Sequence, residues 1–242
     1  MYIWKENVKR AEQFYNSDYY QTLRAENPSL IRKALNGILL DPDADDEELY
    51  QEKAADLGMV ASGIEVYDGE FKLGMDCVHG WKALYDACNG GRESLILYAK
   101  IRSSLNGHML WPRYTMNTIN ILRYRMFRDR VDYSLYDIKL FYEFLRDHAI
   151  SDHQAFVAAC ENSVPFRMTA AYKNEMTFKW LCKFDTFENL VKRMKLDCFC
   201  DKNGEIIEMD TMGVLKGFGE NIVDKRYLEN LVSLLDSRSI SI

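Results

Sequence analysis

The sequence predicts an α+β fold that is predominantly helical and contains two small antiparallel β-hairpins. Apolar residues recur at helical spacing along most of the 242 residues, which is the pattern of helices that pack one face on a core. Two dipeptides, Asp68-Gly69 and Asn203-Gly204, are typical of tight hairpin turns. The length indicates a single domain over 1–242, with residues 1–60 as a candidate helical N-terminal appendage.

The N-terminal half is expected to contain five helices and the first hairpin. Pro28 followed by Ser29 marks a helix start, and an acidic run from Asp41 to Glu48 separates two helices. Asn-Gly pairs at 89–90 and 106–107 end the last two helices. Helices are predicted over 3–24, 28–40, 81–88 and 92–105. A further helix is predicted from the end of the acidic run to about Leu57, and a hairpin is predicted over 64–73.

The C-terminal half is expected to be built from helices with polar N-terminal caps. Ser134-x-x-Asp137, Ser151-x-x-Gln154 and Asp185-x-x-Glu188 each place a capping residue three positions before a second polar residue, which predicts a helix start. A further helix is predicted over 118–130. The second hairpin is predicted over 196–209 and the last helix over 225–237.

Composition and charge set limits on location and partners. The net charge is −6, which argues against broad DNA binding. The N-terminal residues lack the pattern of a signal peptide, and no segment approaches the ~18 apolar residues of a membrane span. We therefore expect a cytoplasmic protein without a membrane partner. The six cysteines are expected to be reduced thiols, and Cys198-x-Cys200 fits alternation on a strand better than zinc binding.

An arginine-rich stretch between Arg102 and Arg130 is the strongest sign of function. It holds six of the fifteen arginines, no lysine, and Asp129 as its one acid. A guanidinium presents a flat fork of donors that matches phosphate or carboxylate, whereas an ammonium does not. The stretch therefore predicts an anion-binding pocket floored by residues 108–130.

The roles within this pocket follow from residue type and helical spacing. On a helix over 118–130, Asn120, Arg123 and Arg130 fall in one sector at ~100° per residue, so they can share a ligand. His108 is the candidate catalytic group for proton transfer, and such a site suits phosphoryl transfer or phosphodiester cleavage. The predicted ligand-binding residues are Arg113, Asn120, Arg123, Arg130 and Trp111, and the predicted supporting residues are Thr118, Asp129 and Asp132. The sequence identifies no metal, cofactor or oligomeric state.

Several motifs in this region resemble an uncharacterised bacterial family catalogued as a domain of unknown function. The resemblance covers roughly residues 65–210. It rests on Asp68-Gly-Glu-Phe-Lys-Leu73, Leu105-Asn-Gly-His108, Trp111-Pro112, Thr118-Ile-Asn120 with Arg123, and Asp129-Arg-Val-Asp132. It implies no activity. It implies that Thr118, Asn120, Arg123, Asp129, Arg130 and Asp132 occupy the family's signature positions.

Three other readings of the sequence compete with the anion pocket. In the first, the arginines and aspartates form a buried structural network, and the protein acts by contacting another protein, for example in phage defence. In the second, Arg146 and His153 form the phosphate-binding and acid–base pair of a helical ribonuclease toxin. In the third, acidic or histidine clusters bind a metal. Asp46 stands where a calcium loop needs glycine, and the spacing of His79 from Asp76 and Cys77 demands no metal, so this reading is the weakest.

Overall fold

The computed structural model describes residues 2–26, 44–78, 92–102, 104–114 and 116–237. In these ranges the chain forms eleven α-helices, two short 3-10 helices and one four-stranded antiparallel sheet. The predicted α+β fold with a helical majority is confirmed. The helices predicted over 28–40 and 81–88 lie outside the described residues. None of the described helices is long and apolar enough to cross a bilayer.

The helices follow the predicted order with shifted ends. The predicted helix over 3–24 is two helices, because the chain turns at Asn16 and Ser17. The helices are α1 (Tyr2–Tyr15), α2 (Asp18–Glu26), α3 (Ala44–Asp56), α4 (Arg92–Arg102), α5 (Ile119–Phe127), α6 (Val131–Asp147), α7 (His153–Ala159), α8 (Thr169–Tyr172), α9 (Glu175–Cys182), α10 (Phe187–Arg193) and α11 (Lys225–Ser237).

The sheet has the strand order β1-β2-β3-β4. Its strands are β1 (Val60–Ser62), β2 (Glu65–Asp68), β3 (Phe71–Cys77) and β4 (His108–Pro112). The predicted hairpin at Asp68-Gly69 is confirmed, since β2 and β3 pair around it and Gly69 has a φ of 65°. Strand β4 pairs with β3 so that Gly74 lies opposite Trp111 and Cys77 opposite His108. This pairing brings the arginine-rich stretch to the sheet.

The second predicted hairpin is a turn with a single bridge rather than two strands. Cys200 and Ile206 form an isolated antiparallel bridge, and the Asp201 side chain accepts from the amides of Asn203 and Glu205. The backbone also closes the turn, because the Asp201 amide donates to the Glu205 carbonyl at 2.8 Å and the Gly204 amide donates to the Asp201 carbonyl at 3.0 Å. A 3-10 helix over Asp197–Phe199 occupies the residues that would have formed the first strand.

The predicted helix over 118–130 ends early. Helix α5 stops at Phe127, and both Arg128 and Asp129 adopt left-handed backbone with φ of 53° and 63°. Helix α6 then begins at Val131, before the predicted cap Ser134, whose hydroxyl donates to the Arg130 carbonyl at 2.6 Å inside the first turn. The one-helix geometry that aligned Asn120, Arg123 and Arg130 is therefore wrong, since a break separates Arg130 from the other two.

Two predicted caps are displaced by one residue. The N-cap of α7 is Asp152, which accepts from the Ala155 amide, and not Ser151. The N-cap of α10 is Thr186, and Asp185 precedes it with a φ of 61°. In both places two neighbouring residues have side chains that can cap the helix N-terminus. The backbone conformation in the folded protein makes the second of the two the N-cap.

The core is centred on α6 and on aromatic side chains around it. Phe141 contacts five other aromatic rings, among them Phe156, Tyr172 and Phe178. Asp137 on the same helix is buried and accepts from the amide of Met168 and from the Tyr172 hydroxyl. Burial raises the pKa of Asp137 to about 6 even though these hydrogen bonds oppose the shift.

Candidate functional site

Arg123 lies at the centre of a buried network. Its side chain is fully buried, and its Nη1 donates to Asp76 Oδ2 at 3.0 Å. Its Nε donates to Ser134 Oγ at 3.1 Å, and its Nη2 donates to the Val78 carbonyl at 3.1 Å and the Asp129 carbonyl at 3.3 Å. The guanidinium thus joins β3, α5 and α6 and presents no donor fork to a cavity.

Arg130 forms a second buried network after the break between α5 and α6. Its Nε and Nη2 donate to the two oxygens of Asp132 at 3.1 and 2.7 Å, a bidentate pair in which both side chains are fully buried. Its Nη1 reaches Asp210 Oδ2 at 2.8 Å and the Ile222 carbonyl at 2.9 Å. Burial opposes the charged form, but the contacts with Asp132 outweigh it and raise the pKa of Arg130.

The aspartates of these networks are not equivalent. Asp132 is the partner of Arg130 and also accepts from the Met209 amide at 3.0 Å. Asp129 is buried, and burial raises the pKa of its carboxyl to about 7; the charge of Arg123 lowers it and the charge of Asp76 raises it further. Asp129 therefore holds a proton at a pH where an exposed aspartate is ionised.

These contacts correct several predicted roles. Arg123 and Arg130 face protein acceptors, so neither is free to hold a ligand phosphate. Asp132 orients Arg130 as predicted, but Asp129 contacts Arg123 through its carbonyl and not through its carboxylate. Trp111 is fully buried and packs edge-to-face on Trp180, with 6.1 Å between the ring centroids, so it belongs to the core.

His108 is also placed away from an open site. It is buried, and its Nδ1 lies 2.9 Å from the Ser104 carbonyl. It begins β4, whereas Arg113 follows the end of the same strand. At about 3.3 Å per residue, roughly 16 Å separate the two backbone positions. His108, the predicted proton-transfer group, is therefore not among the residues that line a cavity with Arg113.

A cavity of about 790 Å³ does open beside the same stretch, between the end of β3–β4 and the start of α5. Three predicted residues line it, namely Arg113, Thr118 and Asn120. Gly74, Met75 and Tyr114 complete the sheet side, and Tyr50, Met116 and Ile121 contribute further walls. The structure thus divides the predicted set into a buried part around Arg123 and Arg130 and an accessible part around Arg113.

Arg113 is the one charged side chain among the described residues that line this cavity. It is exposed and forms no ion pair with a described residue. The pKa of Glu65 is lowered by its hydrogen bonds with Lys72 and Tyr67, and in smaller measure by the charge of Arg113. Glu65 forms its ion pair with Lys72, so the N–H groups of the Arg113 guanidinium are not used by Glu65.

Gly74 determines how Arg113 lies in the cavity. A Cβ at position 74 would lie 3.0 Å from Arg113 Cδ and 3.4 Å from its Cβ. The aliphatic part of Arg113 therefore lies directly on the glycine backbone. Sequence reasoning missed Gly74, because the contact depends on the β3–β4 register, and nothing in the local sequence gives that register.

Asn120 lies on the opposite wall. Its Nδ2 donates to the Gly74 carbonyl at 3.4 Å, while its Oδ1 is buried without a hydrogen-bond partner in the described structure. A buried acceptor left unpaired costs about 1–3 kcal/mol, so such groups in folded proteins call for a partner. Asn120 is also in the first turn of α5, after the N-cap Thr118, where the helix dipole favours negative charge.

The alternative ribonuclease pair is not assembled in the structure. Arg146 is exposed and pairs with the neighbouring Asp147 at 2.9 Å. His153 begins α7, its Nε2 lies 2.8 Å from the Lys173 carbonyl, and its ring packs against Phe178. No described contact joins Arg146 to His153. In addition, no cluster of three metal-binding side chains is found in the part of the chain that the structure describes.

Comparison with known proteins adds no further constraint. No family model matches the chain, and the searches of curated proteins and of solved structures found no match. The resemblance to an uncharacterised bacterial family remains an expectation that depends on the motifs alone.

Proposed function

We propose that the protein binds a small phosphate-bearing ligand in the cavity between β3–β4 and α5. Arg113 contacts the phosphate and Asn120 orients the ligand. The observation that carries this proposal is the contrast in the arginine-rich stretch: Arg113 lines a cavity without an ion-pair partner in the described structure, while Arg123 and Arg130 are engaged by protein acceptors.

The size and lining of the cavity fit a small molecule. Ligand sites typically measure about 300–1,000 Å³ and combine apolar walls with a few placed polar groups, and this cavity of about 790 Å³ has both. Thr118, Asn120 and Ile121 line the cavity at the start of α5, where the helix dipole favours an anion. The single guanidinium supplies charge-assisted hydrogen bonds.

We propose binding rather than turnover. Among the described lining residues, the titratable groups besides Arg113 are the phenols of Tyr50 and Tyr114. Burial raises the pKa of Tyr114 above its ordinary value, which makes it a poor base near neutral pH. Neither a carboxylate nor an imidazole lines the described cavity, so phosphodiester cleavage has no acid–base pair there.

The test is isothermal titration calorimetry with inorganic phosphate, ribose 5-phosphate, AMP and uncharged adenosine. We expect at least one phosphate-bearing compound to bind, and Arg113→Ala to weaken its affinity by about tenfold or more, since a hydrogen bond to a charged group is worth about 1.5–3 kcal/mol. Arg125→Ala is the matched control, because Arg125 is exposed on α5 outside the cavity. Equal binding by both variants contradicts the proposal.

The alternative of a protein-interaction role is favoured by one observation. Tyr124, Arg125 and Met126 on helix α5 are exposed to solvent. Arg123 on the same helix is buried and pairs with Asp76. In this alternative the arginine–aspartate network only holds α5 in place. It predicts that no phosphate-bearing compound binds and that Arg113→Ala has no effect on any small-molecule titration.

A further inference from the structure

Two contacts hold the α5 wall of the cavity on strand β3, and they lie side by side. Asn120 on α5 donates to the Gly74 carbonyl at 3.4 Å, and both residues line the cavity. Arg123, one turn further along α5, donates to Asp76, two residues further along β3, at 3.0 Å. Residues at these spacings share one face of a helix and one face of a strand. The ion pair is the shorter and charge-assisted contact, so it is the stronger of the two.

Asp129 is joined to the same arginine through its backbone. Its amide donates to the Arg123 carbonyl at 3.2 Å, and its carbonyl accepts from Arg123 Nη2 at 3.3 Å. Asp129 and the preceding Arg128 both have left-handed backbone in the short connection between α5 and α6. Residues other than glycine avoid this conformation, so the connection keeps it only while the surrounding contacts hold it there.

The carboxyl group of Asp129 is buried beside these contacts. Among the described residues, the charged groups that act on it are Arg123 from α5 and Asp76 from β3. Arg130 and Asp132, which follow it in the sequence, are paired with each other. A negative charge on Asp129 would therefore have to share one guanidinium with Asp76.

Two other elements meet Arg123 with neutral groups. Helix α6 provides the Ser134 hydroxyl, which accepts from Arg123 Nε at 3.1 Å. Helix α11 provides the Tyr227 phenol, which interacts with the charge of Arg123 and stays neutral because burial raises its pKa. These groups do not compensate a second carboxylate, and a buried charge without compensation is costly. The closed arrangement of α5 on β3 thus fits a neutral Asp129.

We propose that Asp129 is a pH-sensitive switch on the cavity: its neutral carboxyl keeps the Arg123–Asp76 pair closed, and its ionisation lets α5 open away from β3. Asp129 is a positioning residue, because it reaches the cavity wall only through Arg123. Helix α5 has nine residues, and so short a helix is marginal by itself in water. It should therefore lose its own hydrogen bonds when it leaves the sheet. The switch acts on the cavity wall whichever ligand binds, so it goes beyond the proposed function.

The direction of the switch follows from proton linkage. In the closed form burial raises the pKa of Asp129 to about 7, whereas in the open form the carboxyl has its ordinary pKa of about 3.9. Opening therefore releases a proton between about pH 4 and pH 7, and the equilibrium constant for opening should rise about tenfold per pH unit in this window.

The experiment is amide hydrogen exchange of the ligand-free protein, followed by NMR at several pH values between about 5 and 7 and corrected for the intrinsic exchange rate. The Leu122 and Arg123 amides report on α5, and the amides of α6 report on global unfolding. We expect α5 to open more readily than α6 and its opening to rise with pH as stated. Asp129→Asn should make the opening of α5 independent of pH. Asp147→Asn, at an exposed aspartate, is the matched control and should keep the wild-type profile.

Three results would overturn the switch. In the first, α5 amides exchange only as slowly as those of α6, so that α5 opens in global unfolding alone. In the second, the opening of α5 does not depend on pH, and in the third, Asp129→Asn keeps the wild-type profile. Should Asp129→Asn not fold, the first two results in the wild type still decide. Because no ligand is present, the switch and the phosphate site fail separately.

Discussion

Arg113 and Arg130 belong to the same arginine-rich stretch but do opposite things in the structure. Arg130 is fully buried, holds Asp132 in a bidentate pair and reaches the backbone of the C-terminal segment at Ile222. Arg113 is exposed, its side chain packs on the backbone of Gly74, and it lines a cavity. Residue type is shared, so the difference comes from what the fold places around each guanidinium.

The comparison shows why an arginine cluster does not by itself locate a binding site. A buried guanidinium must find acceptors for its donors, and the fold supplies carboxylates and carbonyls to Arg123 and Arg130. Such pairs fix geometry, and the loss of one partner is costly although the pair adds little net stability. A site for an outside anion needs the reverse condition, a guanidinium whose donors the protein leaves unused.

The largest expected effect is on folding, at Arg130. Arg130→Met should lower the free energy of unfolding by about 3–5 kcal/mol, because it leaves the Asp132 carboxylate buried without its cation. Arg130→Lys should recover only part of the free energy of unfolding that Arg130→Met loses, since an ammonium cannot form the two parallel hydrogen bonds. Urea unfolding followed by circular dichroism measures both variants.

The matched control for Arg130 is Arg125→Met, at an exposed position in the same stretch. Surface substitutions of this kind change stability by about 0.5 kcal/mol or less. If the variants at positions 125 and 130 lose the same free energy of unfolding, the buried network does not account for the difference between these arginines.

A smaller loss is expected at Arg123. Arg123→Met should destabilise the protein by about 2–3 kcal/mol, less than Arg130→Met. The reason is that its partner Asp76 is 20% exposed and can be rehydrated, whereas Asp132 is fully buried. The same unfolding assay ranks the two variants, and a larger loss at Arg123 than at Arg130 would contradict the account.

The pH dependence of stability tests Asp129. Its pKa in the folded protein is raised to about 7, against about 3.9 in an unfolded chain. Between these values unfolding releases a proton, so the stability contributed by Asp129 should fall as pH rises from about 4 to 7. Asp129→Asn removes this titration, and asparagine tolerates the left-handed φ of 63° at this position.

We therefore expect Asp129→Asn to be more stable than the wild type at pH 7, by up to about 4 kcal/mol, with the difference shrinking toward pH 4. Unfolding curves at several pH values measure this difference. Asp147→Asn, at an exposed aspartate, serves as the control and should change little. Parallel pH profiles for wild type and Asp129→Asn would mean that Asp129 is ionised in the folded protein.

The smallest effect on stability is expected at Gly74. Gly74→Ala should change the free energy of unfolding by about 1 kcal/mol or less, because the three atoms nearest to the new Cβ all belong to the Arg113 side chain. It should nevertheless weaken AMP binding, because it displaces that side chain. Gly217→Ala is the matched control, since a Cβ there meets nothing within 4 Å. Unchanged AMP affinity in Gly74→Ala would show that Gly74 does not position Arg113 for ligand binding.

Local features were predictable where the signal lies within a few residues. The Asp68-Gly69 hairpin follows from turn chemistry alone, and the last helix over Lys225–Ser237 follows from its amphipathic spacing. Cap positions were less certain, because Ser151 and Asp152 are both able to cap and only the path of the chain selects one. The break after Phe127 escaped prediction, since no glycine or proline marks it.

The site was predictable only in part, because its contacts join distant segments. Asn120 and Arg113 were expected in it from residue type. The acceptors that engage Arg130, at Asp210 and Ile222, lie far along the chain, and no local pattern points to them. Gly74 depends on the register between two strands, so it also lies beyond local reasoning.

The most direct test of the contrast between the arginines is nitrogen-15 NMR of the arginine Nε–H groups during a titration with AMP. We predict that the Arg113 signal shifts and saturates with added AMP, while the signals of Arg123 and Arg130 stay in place and remain protected from solvent exchange. A shift of the Arg123 or Arg130 signals with an unmoved Arg113 signal would contradict the assignment of the site to Arg113.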